Sequence, residues 1–190
     1  MTQVSIVYHS GYGHTAEQAK AVARGAQKVA GVTVNLLTVD EAQQQWEVLK
    51  ASDAIIFGSP TYMGSASAQF KAFMDASSKA WFTRDWQDKI AAGFTTSASQ
   101  SGDKLSTLSQ LSVFAAQHGM IWVSLGLMPG NNHSNGSVND LNRLGSFLGA
   151  MAQANSDQGP DLAPIQSDLL TAEHLGKRVA TLTKRFAKTA

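Results

Sequence analysis

Short apolar runs rich in β-branched or aromatic residues alternate with stretches of helical periodicity along most of this chain, and that alternation limits the folds open to it. The runs are Val4–Tyr8, Val32–Val39, Asp53–Gly58, Ile90–Thr95 and Met120–Val123. After the first, Thr15–Ala30 places Ala16, Ala19, Val22, Ala23, Ala26 and Val29 near the spacing of a buried helix face, and Gly31 ends it. Asp40–Ala51 is a polar connection holding a short helix. Ala66–Ala80 is helical with Phe70, Phe73 and Met74 on one face, and Asp103–His118 repeats Leu105, Leu108, Leu111 and Phe114. His118-Gly119 reads as a helix end, with the glycine left-handed and the histidine complementing the dipole. Strands alternating with helices argue for an α/β fold with a parallel sheet covered on both faces. Gly126–Pro164 reads as a long loop region. Ser167–Ala187 closes the chain as an amphipathic helix, with Ser167 as N-cap.

At 190 residues the length suits a single domain, 1–190, with a sizeable core. A net charge of +1, without a basic recognition helix, argues against nucleic acid as a partner. Cysteine is absent, which excludes disulfides, thiolate metal sites and a cysteine nucleophile. No stretch is long and apolar enough to suggest a membrane span, no basic leader precedes the first strand, and a cytoplasmic setting is expected.

Ligands of such sheets sit outside the carboxyl ends of the strands. Three loops there are unusual: Ser10–Thr15, Ser59–Gly64 and Thr96–Gly102. In the first, a strand turns through Ser10-Gly11-Tyr12-Gly13-His14-Thr15 into a helix, aiming amides and a positive helix end at one point, a geometry that binds phosphate. Gly11-x-Gly13-x-x-Ala16 also fits a dinucleotide fingerprint, with Asp40 as its late acidic residue. The hydroxyls of Ser10, Tyr12 and Thr15 favour a mononucleotide with a terminal phosphate instead. In the second loop Pro60, Thr61, Tyr62, Met63 and Gly64 offer a ring, a thioether and backbone amides to a flat heterocycle. Thr96, Ser97, Ala98 and Ser99 add small polar groups able to reach its carbonyls.

The order S-x-Y-G-H-T, I-I-F-G-S-P-T-Y-M-G, a tryptophan, and H-G-M before the fifth run resembles the flavodoxin-like FMN proteins. Within them it is most similar to the WrbA-type NAD(P)H:quinone oxidoreductases and the NADPH-dependent FMN reductases, from Val4 to about Met151. The resemblance implies a flavodoxin-like three-layer sandwich with a five-stranded parallel sheet. It implies FMN, with Ser10, Gly11, Tyr12, Gly13, His14 and Thr15 at the phosphate. Pro60 to Gly64 would border the isoalloxazine, and Thr96 to Ser99 its pyrimidine side. Trp81 and Gln117 match substrate-side positions, Gln117 standing where the family has a flavin-side histidine. Ser97–Ser101 replaces a glycine-rich loop and Tyr62 a basic residue. A shorter segment between the second and third strands leaves a homodimer as the expected assembly, with a tetramer as the alternative.

The activity implied is hydride transfer from NADH or NADPH, through FMN, to a quinone or similar flat small-molecule acceptor in the same pocket. No protein side chain is assigned as catalytic. The competing readings are a single-electron carrier and a flavin-binding regulator without turnover. His133 reads as an exposed loop residue, and no second ligand at metal spacing accompanies it.

Overall fold

The computed structural model describes residues 1–187. Its elements, in order, are β1 (Thr2–Tyr8), α1 (His14–Gln27), β2 (Val32–Thr38), α2 (Val39–Gln43), α3 (Trp46–Ala51), β3 (Ala54–Tyr62), β4 (Ser65–Ala66), α4 (Ala68–Ala76), α5 (Ser78–Phe82), β5 (Ile90–Ser97), α6 (Lys104–Gln117), β6 (Ile121–Trp122), β7 (Ala150–Gln153) and α7 (Gln166–Ala187). The main sheet runs β2-β1-β3-β5-β6, all parallel, so the alternating pattern becomes the doubly wound, flavodoxin-like α/β fold. No helix among the described residues is long and apolar enough to cross a membrane.

Each face of the sheet is covered by its own core. Val4, Ile6, Ile56 and Phe94 pack with Val22 and Ala26 of α1 and Leu175 and Val179 of α7. These two helices cross with their backbones in contact. A Cβ on Gly25 would lie 1.8 Å from the Glu173 carbonyl oxygen, and one on Gly176 would lie 1.9 Å from that of Val22. The opposite face is aromatic, with Phe57, Phe70, Phe73, Trp86 and Phe114 buried together in stacked and edge-to-face pairs.

The sheet has seven strands rather than the expected five. Part of the excess is β4, a two-residue strand antiparallel to the end of β3. The rest comes from the fifth position, which two short strands share. β6 pairs with Ile90 and Ala91, whereas β7 pairs with Phe94–Ser97 further along the same strand. Residues 123–149 leave the edge between them. The break falls at Gly93, where the Trp122 ring and the backbone of Gly149 close in. The Trp122 indole N–H donates to the Leu148 carbonyl at 2.9 Å and stitches the halves together. The expected long loop region therefore contains a strand.

Local hydrogen bonding explains the other departures. The helix expected over Ala66–Ala80 starts late, because Ser67 caps α4 by accepting from the Phe70 amide at 3.3 Å. It then breaks at Ser77, whose hydroxyl donates back to the Met74 carbonyl at 2.7 Å. The Asp40–Ala51 connection holds two short helices, the first opened by a Thr38–Glu41 capping box. Ser167 does not cap α7. That helix begins one residue earlier, and the Ser167 hydroxyl donates to Val138 at 2.7 Å.

Candidate functional site

The turn from β1 into α1 is built around Gly13, whose φ of 91° favours glycine. A Cβ there would also strike the Pro160 ring at 2.8 Å. The Ser10 hydroxyl oxygen accepts from the amides of Gly13 and Ala16, each at 3.1 Å. It braces the loop from inside, a different use from the phosphate ligation expected of it. With the Ala16 amide taken and Glu17 bonded to the Gly13 carbonyl, the first-turn amides of His14 and Thr15 lack intrahelical partners. Open amides at a positive helix end form an anion cradle. The His14 ring is fixed by Nε2 donating to the Gln158 carbonyl at 2.8 Å.

Beside this cradle the strand-end loops enclose a cavity of about 640 Å³. The first loop contributes Tyr12, His14 and Thr15, the second Pro60, Thr61 and Tyr62, and the third Thr96, Ser97 and Ala98. Tyr62 closes edge-on against Tyr12, ring centroids 6.2 Å apart. Burial raises the Tyr62 phenol pKa, the neighbouring Tyr12 adds to that, and a bond from the Gly11 backbone opposes it. Ser10, Gly11, Met63, Gly64 and Ser99 do not line the cavity. Gly11 instead borders a second hollow behind the tyrosine pair, with His9, Ala66 and Ser67. Asp40 is exposed in the first turn of α2 and takes no part, which removes the acidic partner of a dinucleotide reading.

Two predicted substrate residues are not brought here. Trp81 and Gln117 line a separate hollow of about 340 Å³ with Ser77, Phe114 and His118. It lies near the amino ends of the strands, since α4 and α6 both descend to that side before β5 and β6 begin. Within one chain, neither can wall this cavity. His118 is also not the dipole-complementing cation expected at a helix end. It is buried against Trp86, ring centroids 4.2 Å apart, and bonded through Nε2 to Ser77 Oγ at 2.9 Å. Desolvation lowers its pKa to about 4, so it is neutral near pH 7.

Sequence reasoning missed two parts of the site. The first is a fourth wall, Ala154, Ser156, Gln158 and Gly159, supplied by the turn after β7. Its signal was the turn chemistry of Ser156-Asp157-Gln158-Gly159-Pro160, which follows a strand too small in its side chains to be recognised. The second is Lys104 at the head of α6. Only 1% exposed, it donates to Ser97 Oγ at 2.7 Å, the Ser99 carbonyl at 2.9 Å and the Gln100 carbonyl at 2.7 Å. Desolvation lowers its pKa to about 8, against a pull upward from Asp168. A lysine in the first turn, where the dipole disfavours cations, was the signal for it.

The third loop is held from behind by a network centred on a buried ion pair. The Arg143 guanidinium grips Asp168 with two bonds of 2.8 Å, and Asp168 accepts from the Gln153 amide at 2.8 Å. The Gln153 side chain then donates to the Ala98 carbonyl at 2.8 Å. Below the cavity, Gln18 joins Thr96 Oγ1 (2.6 Å) to the Ala150 carbonyl (3.3 Å).

The model of the NADPH-dependent FMN reductase family matches residues 33–134. A protein named flavodoxin FldP from Pseudomonas aeruginosa is 45% identical over 98% of this chain and 99% of its own length. A protein named NAD(P)H dehydrogenase (quinone) from Archaeoglobus fulgidus is 33% identical over 98% of this chain and 100% of its own. The crystal structure of a flavodoxin, WrbA-like protein from Agrobacterium tumefaciens superposes with a TM-score of 0.76 at 42% identity, covering 97% of this chain and 99% of that one. With the motifs, the strand order and the loop convergence all agreeing, the chain belongs to the NADPH-dependent FMN reductase family of flavodoxin-like proteins.

Proposed function

We propose that the chain binds FMN in the strand-end cavity and passes hydride from NADH or NADPH to a quinone or a similar flat acceptor. The observation that carries this reading is the meeting of three strand-end loops on the open amides of His14 and Thr15. The donor set fits the cofactor: amides and a threonine hydroxyl at a helix start suit a phosphate dianion. A mostly neutral wall with an aromatic ring beside it suits a flat heterocycle. FMN, when bound, supplies the two-electron chemistry.

In this reading His14 and Thr15 hold the phosphate, with Gly13 allowing close backbone approach and Ser10 bracing the turn. Pro60, Thr61 and Tyr62 border the ring, and Thr96, Ser97 and Ala98 face its pyrimidine side. The Thr61 hydroxyl is tied to the hydroxyls of Thr95 and Thr107, each at 2.8 Å, so its side chain positions the loop. No side chain acts as a nucleophile. The protein acts as one domain in the cytoplasm and assembles as a homodimer. Trp81 and Gln117 meet a bound substrate only if a second copy brings them to the cavity.

An electron carrier is the second reading. It is favoured by the name of the 45% identical relative and by the rim, where Tyr12 is 76% exposed and Met63 fully so. Anaerobic titration of the FMN-loaded protein with NADH and NADPH, followed by addition of a quinone, separates the two. Bleaching of the flavin absorbance by either nucleotide and its recovery on adding quinone is the expected result. FMN that binds and ignores both nucleotides moves the assignment to the carrier. A protein that takes up no FMN refutes the site.

A further inference from the structure

Behind the third loop sits a cation whose bonds all go to neutral oxygens. Lys104 Nζ reaches Ser97 Oγ, the Ser99 carbonyl and the Gln100 carbonyl. The Ser97 hydroxyl proton is turned to the Ser99 carbonyl at 2.9 Å, leaving its lone pair to the ammonium. Two charged groups face Lys104 from other elements, Asp168 of α7 and Arg143 of the 123–149 excursion. They are already joined in a bidentate pair, 2.8 Å and 2.8 Å. Asp168 acts on Lys104 more strongly than Arg143 and favours its charged form, and the charge stands in a low-dielectric setting where it is felt over distance.

Lys104 also takes the Ser99 and Gln100 carbonyls, which fixes the loop that follows Ser97. Ser97, one hydrogen bond from the ammonium, lines the cavity.

We infer that Lys104 is a positioning residue that biases the cavity toward negative charge. Through Ser97 it holds a positive field at the cavity end that this residue borders, so a ligand there binds more tightly once it has gained negative charge. Naming that ligand FMN rests on the function proposed above. Its oxidised ring is neutral. Two electrons and one proton, delivered together as hydride from NADH or separately from dithionite and water, leave the reduced ring with one negative charge. Lys104 therefore favours reduced over oxidised FMN.

The test compares wild type with Lys104→Met and Lys104→Arg. The dissociation constant of oxidised FMN is read by fluorescence, and the midpoint potential by anaerobic titration against a reference dye, at pH 7 and pH 9.5. At pH 7, Lys104→Met is expected to lose about tenfold more affinity for reduced than for oxidised FMN, a fall of about 30 mV for a two-electron couple. Lys104→Arg, which keeps the charge, should retain most of the potential. At pH 9.5, above the lowered wild-type pKa of about 8, the difference between wild type and Lys104→Met should shrink. Should the methionine variant not fold, Lys104→Gln, uncharged but able to bond one loop carbonyl, is read in the same way. Equal loss of both forms with an unchanged potential assigns Lys104 a purely structural role and overturns the inference. Wild-type protein that binds no FMN overturns the site and this inference together, a result distinct from normal binding with an unmoved potential.

Discussion

The Arg143–Asp168 pair allows a quantitative test of what holds the sheet edge to the site. Its side chains are 6% and 2% exposed, and both guanidinium bonds are 2.8 Å. Arg143→Met removes the cation and leaves a buried carboxylate with the Gln153 amide as its remaining neutral donor. Breaking one side of such a pair costs about 3–5 kcal/mol. For a domain of this size, that is a fall of roughly 6–20 °C in melting temperature. The double variant Arg143→Met, Asp168→Asn removes the stranded charge and still presents an oxygen to Gln153. It should recover to within about 1–2 kcal/mol of wild type, because a buried ion pair is worth little against a neutral replacement. Urea unfolding followed by far-ultraviolet circular dichroism at pH 7 compares the three proteins. A single variant within 1 kcal/mol of wild type, or a double variant no better than the single, would show that the pair does not anchor this edge.

Two further outcomes follow from the site and the aromatic core. Thr15→Asp sets a carboxylate against the phosphate cradle, so FMN affinity should fall at least about 100-fold in protein whose far-ultraviolet circular dichroism shows it folded; fluorescence titration showing unchanged affinity removes the phosphate from this loop. His118, neutral when folded and titrating near pH 6.5 when unfolded, contributes stability above pH 6.5 that is lost as pH falls toward 4, by roughly 2–3 kcal/mol. His118→Gln should flatten that limb of the stability–pH curve, and a wild-type curve level across this range would show the imidazole to be protonated in place.

Most of the fold and three of the four cavity walls were legible because they are written in residue types. Val4–Tyr8, Asp53–Gly58 and Ile90–Thr95 are apolar on both sides, as central parallel strands must be. The Gly13 turn and the hydroxyls of Thr15, Thr61 and Thr96 marked the loops, although hydroxyl chemistry does not reveal direction. Ser10 turns its oxygen inward to brace backbone amides, and Thr61 turns its own to the hydroxyls of Thr95 and Thr107. What was not legible depends on tertiary placement. β7 is Ala150-Met151-Ala152-Gln153, without β-branched residues, and it is a strand because the exposed edge of β5 accepts it. Trp81 and Gln117 share a hollow at the opposite end of the strands because α4 and α6 run antiparallel to the strands they follow, which no local pattern records.

The split fifth strand explains why the site depends on elements remote from it in sequence. A continuous edge strand would have carried the chain past β5 without leaving it. By departing after Trp122 and returning at Ala150, the chain gains Arg143 on the excursion and the Ala154–Gly159 turn on the way out. Each is then tied inward. Arg143 meets the first turn of α7 at Asp168, Gln153 carries that contact to the Ala98 carbonyl, and Gln158 meets His14 at the head of α1. Thr96 and Ser97 at the start of the third loop are the end of β5 and are fixed by pairing with β7, and the rest of the loop is fixed by Lys104 from one side and this chain of bonds from the other. Since α7 packs along α1 with backbones touching, the helix that presents the anion cradle and the helix that anchors the third loop form one rigid pair. Walls of the cavity are therefore held at a set spacing by a helix contact on one face of the sheet, and with Pro60–Tyr62 and Thr96–Ser97 seated at the ends of β3 and β5 the site is a preformed one.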